Sequence, residues 1–237
     1  MNSQRLDKII SSQLNIPRSM ARTQIHRGKV TVNGVVCRDP SAQTDVDSAQ
    51  ITYKGQAVSY KKHIYMVLNK PKGIISASND KSRETVVDLV PENLRRNGLS
   101  PVGRLDRDTT GLLLITDDGE FAHKIISPKS EILKTYEVTL DGELTDEICQ
   151  SFAQGITLAD GTKCKSAVLE IIDKTKARVK ISEGKYHQIK RMFGVVGLGV
   201  NELKRIKIGS FELPQNLNEG DCRELSDEEL KALFTNN

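Results

Sequence analysis

The segment GRLDRDTTGLLLITDDG, residues 103–119, passes from charge to apolar and back to charge. Arg104, Asp106, Arg107 and Asp108, with the turn formers Thr109, Thr110 and Gly111, lead into Leu112-Leu113-Leu114-Ile115, which Asp117-Asp118-Gly119 ends. A short apolar run bounded in this way predicts a loop, a buried strand and a turn. Asp106 stands on the loop, between two arginines, where a rigid strand holds it and solvent still reaches it. An active-site acid belongs in such a place. The same spacing fits a surface ion-pair loop.

Working outward, residues 64–68 read as an apolar strand, Pro71 and Gly73 turn the chain, and residues 74–76 start an extended piece. Helices are predicted over 85–94, 120–126, 144–152 with Thr145 as N-cap, 186–193, and 227–234 capped by Ser226. Strands are predicted over 136–140, 167–172, 177–181 and 203–208. Strands outnumber helices and neighbours look hairpin-linked, so the class is α+β with a mainly antiparallel sheet.

The amino-terminal part has its own pattern. Leu6, Ile9, Ile10 and Leu14 recur at helical spacing over residues 5–14, Pro17 ends the segment, and a second helix is expected from a Ser19 cap to Gly28. Val30 and Val32, then Asn33-Gly34, then Val35 and Val36 form a hairpin signal. Residues 55–62 look like a linker, which divides the chain into residues 1–60 and 61–237.

The 237 residues are 37% apolar and 28% charged, with no apolar run near bilayer length and no secretory leader, so a cytoplasmic protein is expected. Cys37, Cys149, Cys164 and Cys222 show no zinc spacing, and the four histidines form no cluster, so no metal is expected. The first 60 residues hold eight basic side chains against four acidic ones, which accounts for the whole formal charge of +4. Arg5, Arg18, Arg22, Arg27 and Lys29 make that end a basic face suited to a phosphate backbone.

Gly103-Arg104-Leu105-Asp106 followed by Asp108-Thr109-Thr110-Gly111-Leu112 resembles the catalytic motif of the RsuA/RluA group of pseudouridine synthases. Asn69-Lys70-Pro71-Lys72-Gly73, Lys134-Thr135-Tyr136-Glu137-Val138 and the run Glu183 to Phe193, EGKYHQIKRMF, resemble three further motifs of that group, in order. Over residues 1–60, the pattern of Arg5, Asp7, Lys8, Arg18, Ser19, Ala21, Ile25, Gly28 and Val30 to Gly34 resembles an S4-type RNA-binding domain.

These resemblances imply an enzyme that detaches uracil from its ribose at N1, turns it and rejoins it through C5, with no cofactor. They make Asp106 the essential carboxylate. Arg104 then fills the gap left by the extruded nucleotide or grips its phosphate, with Leu105 beside it. Tyr136 stacks on the base and assists loss of the C5 proton, and Ile189 packs against the base. Either Lys190 or Arg191 pairs with Asp106, while His187 and Gln188 support the loop. Arg107 to Gly111 and His123 to Lys129 look closest to group members acting on 16S rRNA, so the expected partner is that RNA or a small-subunit assembly intermediate, bound by a monomer away from any membrane. Three other readings stand beside this one: a large-subunit rRNA synthase, a non-catalytic assembly factor, and a hydrolase with Asp108 as its second acid.

Overall fold

The computed structural model describes residues 2–236, which divide into two units: the chain up to Ile64 with Asn93–Gly98, and Tyr65–Glu92 with the chain from Leu99 onward. The first unit runs β1 (Ser3–Arg5), α1 (Leu6–Gln13), α2 (Arg18–His26), β2 (Val30–Val32), β3 (Val35–Val36), β4 (Gln43–Asp45), β5 (Ile51–Tyr53) and β6 (Gln56–Val58). The helical spacing at Leu6, Ile9 and Ile10 buries all three completely, against Ala21, Ile25, Val30 and Ile51. Each large side chain removed from water there contributes roughly 1.5–3 kcal/mol, the main favourable term for so small a core.

Asn33 and Gly34 join β2 to β3 with positive φ at both, 51° and 81°, as the hairpin signal requires. The stretch expected as a linker contains β6 instead. Lys54 and Gly55 both adopt positive φ, 49° and 82°, and turn β6 back onto β5. Lysine is uncommon in that conformation, so the sequence carried little turn signal. The second helix starts at Arg18 after Pro17, not from a Ser19 cap.

The second unit continues with β7 (Tyr65–Lys70), β8 (Ser100–Val102), β9 (Thr110–Thr116), α3 (Gly119–Ile126), β10 (Lys134–Leu140), α4 (Asp146–Gln154), β11 (Val168–Asp173), β12 (Lys176–Ile181), α5 (Gln188–Val195), β13 (Val200–Ile208), β14 (Phe211–Glu212), β15 (Cys222–Glu224) and α6 (Asp227–Ala232). Among the described residues its sheet has nine strands, ordered β11-β12-β10-β13-β9-β7-β15, with β14 on β13 and β8 on β9. Only the β13–β9 pairing is parallel, so the α+β class with a mainly antiparallel sheet is what the chain adopts. Leu112 to Ile115 of β9 are at most 1% exposed, so both faces of that strand are covered.

Ser226 and Glu229 form a complete capping box on α6. Thr145 stands at the start of α4 without a side-chain cap bond. The helix expected over 85–94 does not form, and only a 3-10 turn at Glu92–Leu94 is present. The segment is held by turns instead: the Asp88 N–H donates to the Thr85 carbonyl and the Val90 N–H to the Val87 carbonyl, bonds to the third residue back, while the Asp88 carboxylate accepts from the Thr85 N–H and hydroxyl at 2.8 Å. Pro91 then removes a backbone donor.

The loop before β9 is laced to the segment after β7. Lys70 is fully buried, and its ammonium donates to the carbonyls of Pro71 and Thr109 at 3.0 Å and of Arg107 at 3.4 Å. The Ser76 hydroxyl donates to the Leu105 carbonyl at 2.8 Å and accepts the Leu105 N–H at 3.1 Å. Gly73 and Arg107 exchange two further bonds. Burial pushes the Lys70 ammonium down to about 8, with the charges of Asp108 and Asp106 pulling the other way. At the entry to the strand, Gly111 has φ +96°, and a Cβ there would lie 2.3 Å from the Arg205 carbonyl.

Gly111→Ala combines left-handed strain with overpacking against backbone and should cost about 3 kcal/mol. Thermal melting checks this, and a midpoint equal to the wild type contradicts it. The folded state binds the Lys70 proton less tightly than the unfolded chain does. The stability of the wild type relative to Lys70→Met should therefore rise with pH between about 8 and 10.5. Urea denaturation across that window checks the sign, and a flat or falling difference contradicts it.

Candidate active site

A cleft of about 80 Å³ in the second unit is lined by Arg104, Leu105, Asp106, Tyr136, Ile189 and Lys190, together with His187. The sequence reading had singled out the first six, from three separate motifs, and the fold brings them to one place. Asp106 enters from the pinned loop, Tyr136 from the middle of β10, and Ile189 and Lys190 from the first turn of α5. Leu105 and Ile189 are buried, with 6% and 4% exposure, and form the apolar part of the wall. Arg104 is exposed at the rim.

Of the two basic residues of the late motif, Lys190 and Arg191, Lys190 is the one that lies near Asp106. Its Nζ lies 3.6 Å from Asp106 Oδ2 and 2.5 Å from Asp108 Oδ1. Arg191 turns elsewhere: its guanidinium bonds to Asp160 Oδ2 and to the Tyr186 carbonyl. Adjacent positions on a helix face directions about 100° apart, so only one of the two can reach the loop. One ammonium thus faces two carboxylates. The hydrogen bond from Lys190 holds the Asp108 carboxyl below the ordinary carboxylate range, with burial opposing it.

His187 Nε2 lies 3.4 Å from Asp106 Oδ1, a contact the sequence reading did not anticipate. The residue precedes α5 in a left-handed conformation, φ 47°, and its ring is stacked on Tyr186 with centroids 3.8 Å apart. A non-glycine residue held in that region is a mark of local constraint. Gln188 is buried and bonds to Glu183 and to the Lys185 N–H.

Beneath the cleft, Tyr136 is 8% exposed and pairs in register with Arg205 of β13. Arg205 is buried and was missed. Its Nε donates to the Leu112 carbonyl at 2.7 Å, its Nη1 to the Tyr136 hydroxyl at 3.4 Å, and its guanidinium carbon sits 5.9 Å from the Tyr136 ring centre. Arg205 Nη2 has no hydrogen-bond partner among the described residues. The available signal was its phase: Arg205 shares a strand face with Leu203, an apolar position.

The five cations expected to bind RNA lie in the first unit. Arg27 and Lys29 are exposed at the end of α2, whereas Arg5, Arg18 and Arg22 all bond to one carboxylate, Asp7. Among the described residues, no group of three or more His, Cys, Asp or Glu side chains is placed to hold a metal ion, and no helix is long and apolar enough to cross a membrane.

Residues 64–194 match the family described as RNA pseudouridylate synthase, and residues 4–47 match the S4 domain. The chain is 39% identical over 231 residues to the "Ribosomal small subunit pseudouridine synthase A" of Escherichia coli (strain K12), covering 97% of this chain and 99% of that protein. It is also 39% identical over 234 residues to the "Uncharacterized RNA pseudouridine synthase YtzG" of Bacillus subtilis (strain 168), covering 97% and 98%. A solved structure described as "Crystal structure of pseudouridylate synthase" superposes with a TM-score of 0.69 at 37% identity, over 98% of this chain and 100% of that one. The chain is therefore a member of the RNA pseudouridylate synthase family and carries an S4 domain as well.

Proposed function

We propose that this protein isomerises a uridine of small-subunit 16S rRNA to pseudouridine, with Asp106 as the reacting carboxylate. The observation that carries the reading is the meeting of Asp106, Lys190 and Tyr136 in one cleft, from motifs far apart in the chain. The reaction breaks the bond between N1 and the ribose, turns the base and joins C5 to the same carbon, with the C5 proton lost and a proton taken up at N1. It needs a charged group beside the sugar, a surface for the freed base, and shelter from water.

Each need has a candidate. Asp106 attacks or stabilises the sugar or base, with the Lys190 ammonium 3.6 Å from its carboxylate. Tyr136 and Ile189 hold the uracil, with Leu105 closing the wall. Arg104 at the rim takes the place or the phosphate of the extruded nucleotide. A hydrolase would want a proton donor near the nucleophile, and Asp108 is a poor one because Lys190 keeps its carboxyl ionised.

The small-subunit target is supported by the names of the full-length relatives and by the match of nearly the whole chain to them. The first unit supplies the grip on RNA through Arg5, Arg18, Arg22, Arg27 and Lys29. The protein acts as a monomer in the cytoplasm, on 16S rRNA or a small-subunit assembly intermediate. Purified protein incubated with 16S and with large-subunit rRNA, followed by chromatography of the nucleosides, tests the target. Pseudouridine is expected in the 16S RNA alone, and modification only of the large-subunit RNA would overturn the assignment.

A further inference from the structure

Three arginines of the first unit close on one buried carboxylate. Asp7 has no accessible surface, and it accepts from Arg5 Nε at 3.2 Å and Nη2 at 3.1 Å, from Arg18 Nη2 at 2.8 Å, and from Arg22 Nε at 2.9 Å. The arginine side chains stay 39%, 46% and 51% exposed. A guanidinium has five N–H donors, and each arginine spends one or two on Asp7, so every one keeps at least three for a partner in solvent. The cluster carries three positive charges against one negative. Its outward face is cationic while its inner face is fixed.

Burying a carboxylate is costly, and apolar packing commonly stabilises as well or better, so holding α1 to α2 does not by itself explain the choice of Asp at this position. What a carboxylate adds is geometry. Arg18 and Arg22 stand one helical turn apart on α2, and Arg5 precedes α1. Without a shared counter-charge these three groups would repel one another and move freely in solvent. With it, their forks are ordered before any ligand arrives, and the entropy of ordering them is not charged to binding. Burial would raise the Asp7 carboxyl, but the bonds from the three arginines outweigh it and hold it far below the ordinary range, so the counter-charge is permanent.

We propose that Asp7 is a positioning residue for RNA recognition: it pre-arranges Arg5, Arg18 and Arg22 into one cluster that takes adjacent phosphates of the RNA backbone. The inference rests on the reading above that this unit binds RNA, and it separates from the charge alone by the sign of one effect. Asp7→Asn adds a net positive charge to the face. If charge were all that mattered, the variant would bind RNA more tightly and with a steeper salt dependence. Loss of positioning instead weakens binding and flattens the slope.

The test uses the full chain, a labelled 16S rRNA fragment and a salt titration, with thermal melting to confirm folding. Asp7→Asn should bind about tenfold more weakly than the wild type, with a flatter slope. The double variant Arg18→Lys with Arg22→Lys keeps every charge and one bond from each residue, yet should weaken binding by a similar factor because the fork is lost. This pair decides the matter if Asp7→Asn fails to fold. Equal or tighter binding by a folded Asp7→Asn, or unchanged binding by the lysine pair, overturns the proposal. Arg18→Ala with Arg22→Ala separates the two levels. If that double variant binds as the wild type does, the RNA-binding reading of the unit falls and the proposal with it. If it weakens binding while Asp7→Asn does not, only the positioning role falls.

Discussion

Lys70 places an ammonium where no water reaches it and ties three carbonyls together: its neighbour Pro71, and Arg107 and Thr109 on either side of Asp108. A buried cation with no carboxylate partner is tolerated only if polar groups surround it, and here those groups are the backbone of the loop that bears Asp106. The loop therefore cannot relax without stranding a charge in the core. With Ser76 clamping Leu105 and Gly73 bonded to Arg107, the position of Asp106 is set from below and behind, leaving its carboxylate as the part that faces the cleft.

The opposite wall is set by β13. Arg205 reaches across from that strand to the Leu112 carbonyl of β9 and to the Tyr136 hydroxyl of β10, so one side chain ties the three strands that carry the site. Gly111 lets β9 and β13 approach closely enough for this, since any Cβ would strike the Arg205 carbonyl. The two units solve related electrostatic problems in opposite ways. In the cleft one ammonium, Lys190, is shared by two carboxylates, and in the amino-terminal unit one carboxylate, Asp7, is shared by three guanidinium groups. The first places two carboxylates about one cation, and the second places three cations about one carboxylate.

Much of this was legible in the sequence where a local rule operates. The apolar run of β9, the Asn33-Gly34 turn and the Ser226 capping box are each fixed by residues within a few positions of one another. The motifs point to Asp106, Tyr136 and Ile189, and to either Lys190 or Arg191. What stayed hidden depends on contacts distant in sequence or on side chains that override propensity. Residues 85–90 close into turns with bonds to the third residue back where the apolar spacing favoured a helix, and Lys54 took a backbone conformation that lysine seldom adopts. The choice between Lys190 and Arg191 required the direction each takes from α5. The His187 contact and the Arg205 brace join residues roughly 70 to 93 positions apart, beyond the reach of any periodicity.

As the reacting carboxylate proposed above, Asp106 should be needed for the chemistry and not for the binding. Release of tritium from 16S rRNA labelled at C5 of uridine, followed with enzyme in excess over RNA, reads the bond that the isomerisation must break. The account predicts release by the wild type and none above background by Asp106→Asn, with the variant binding the same RNA as tightly. Release by Asp106→Asn at a rate near the wild type would contradict it.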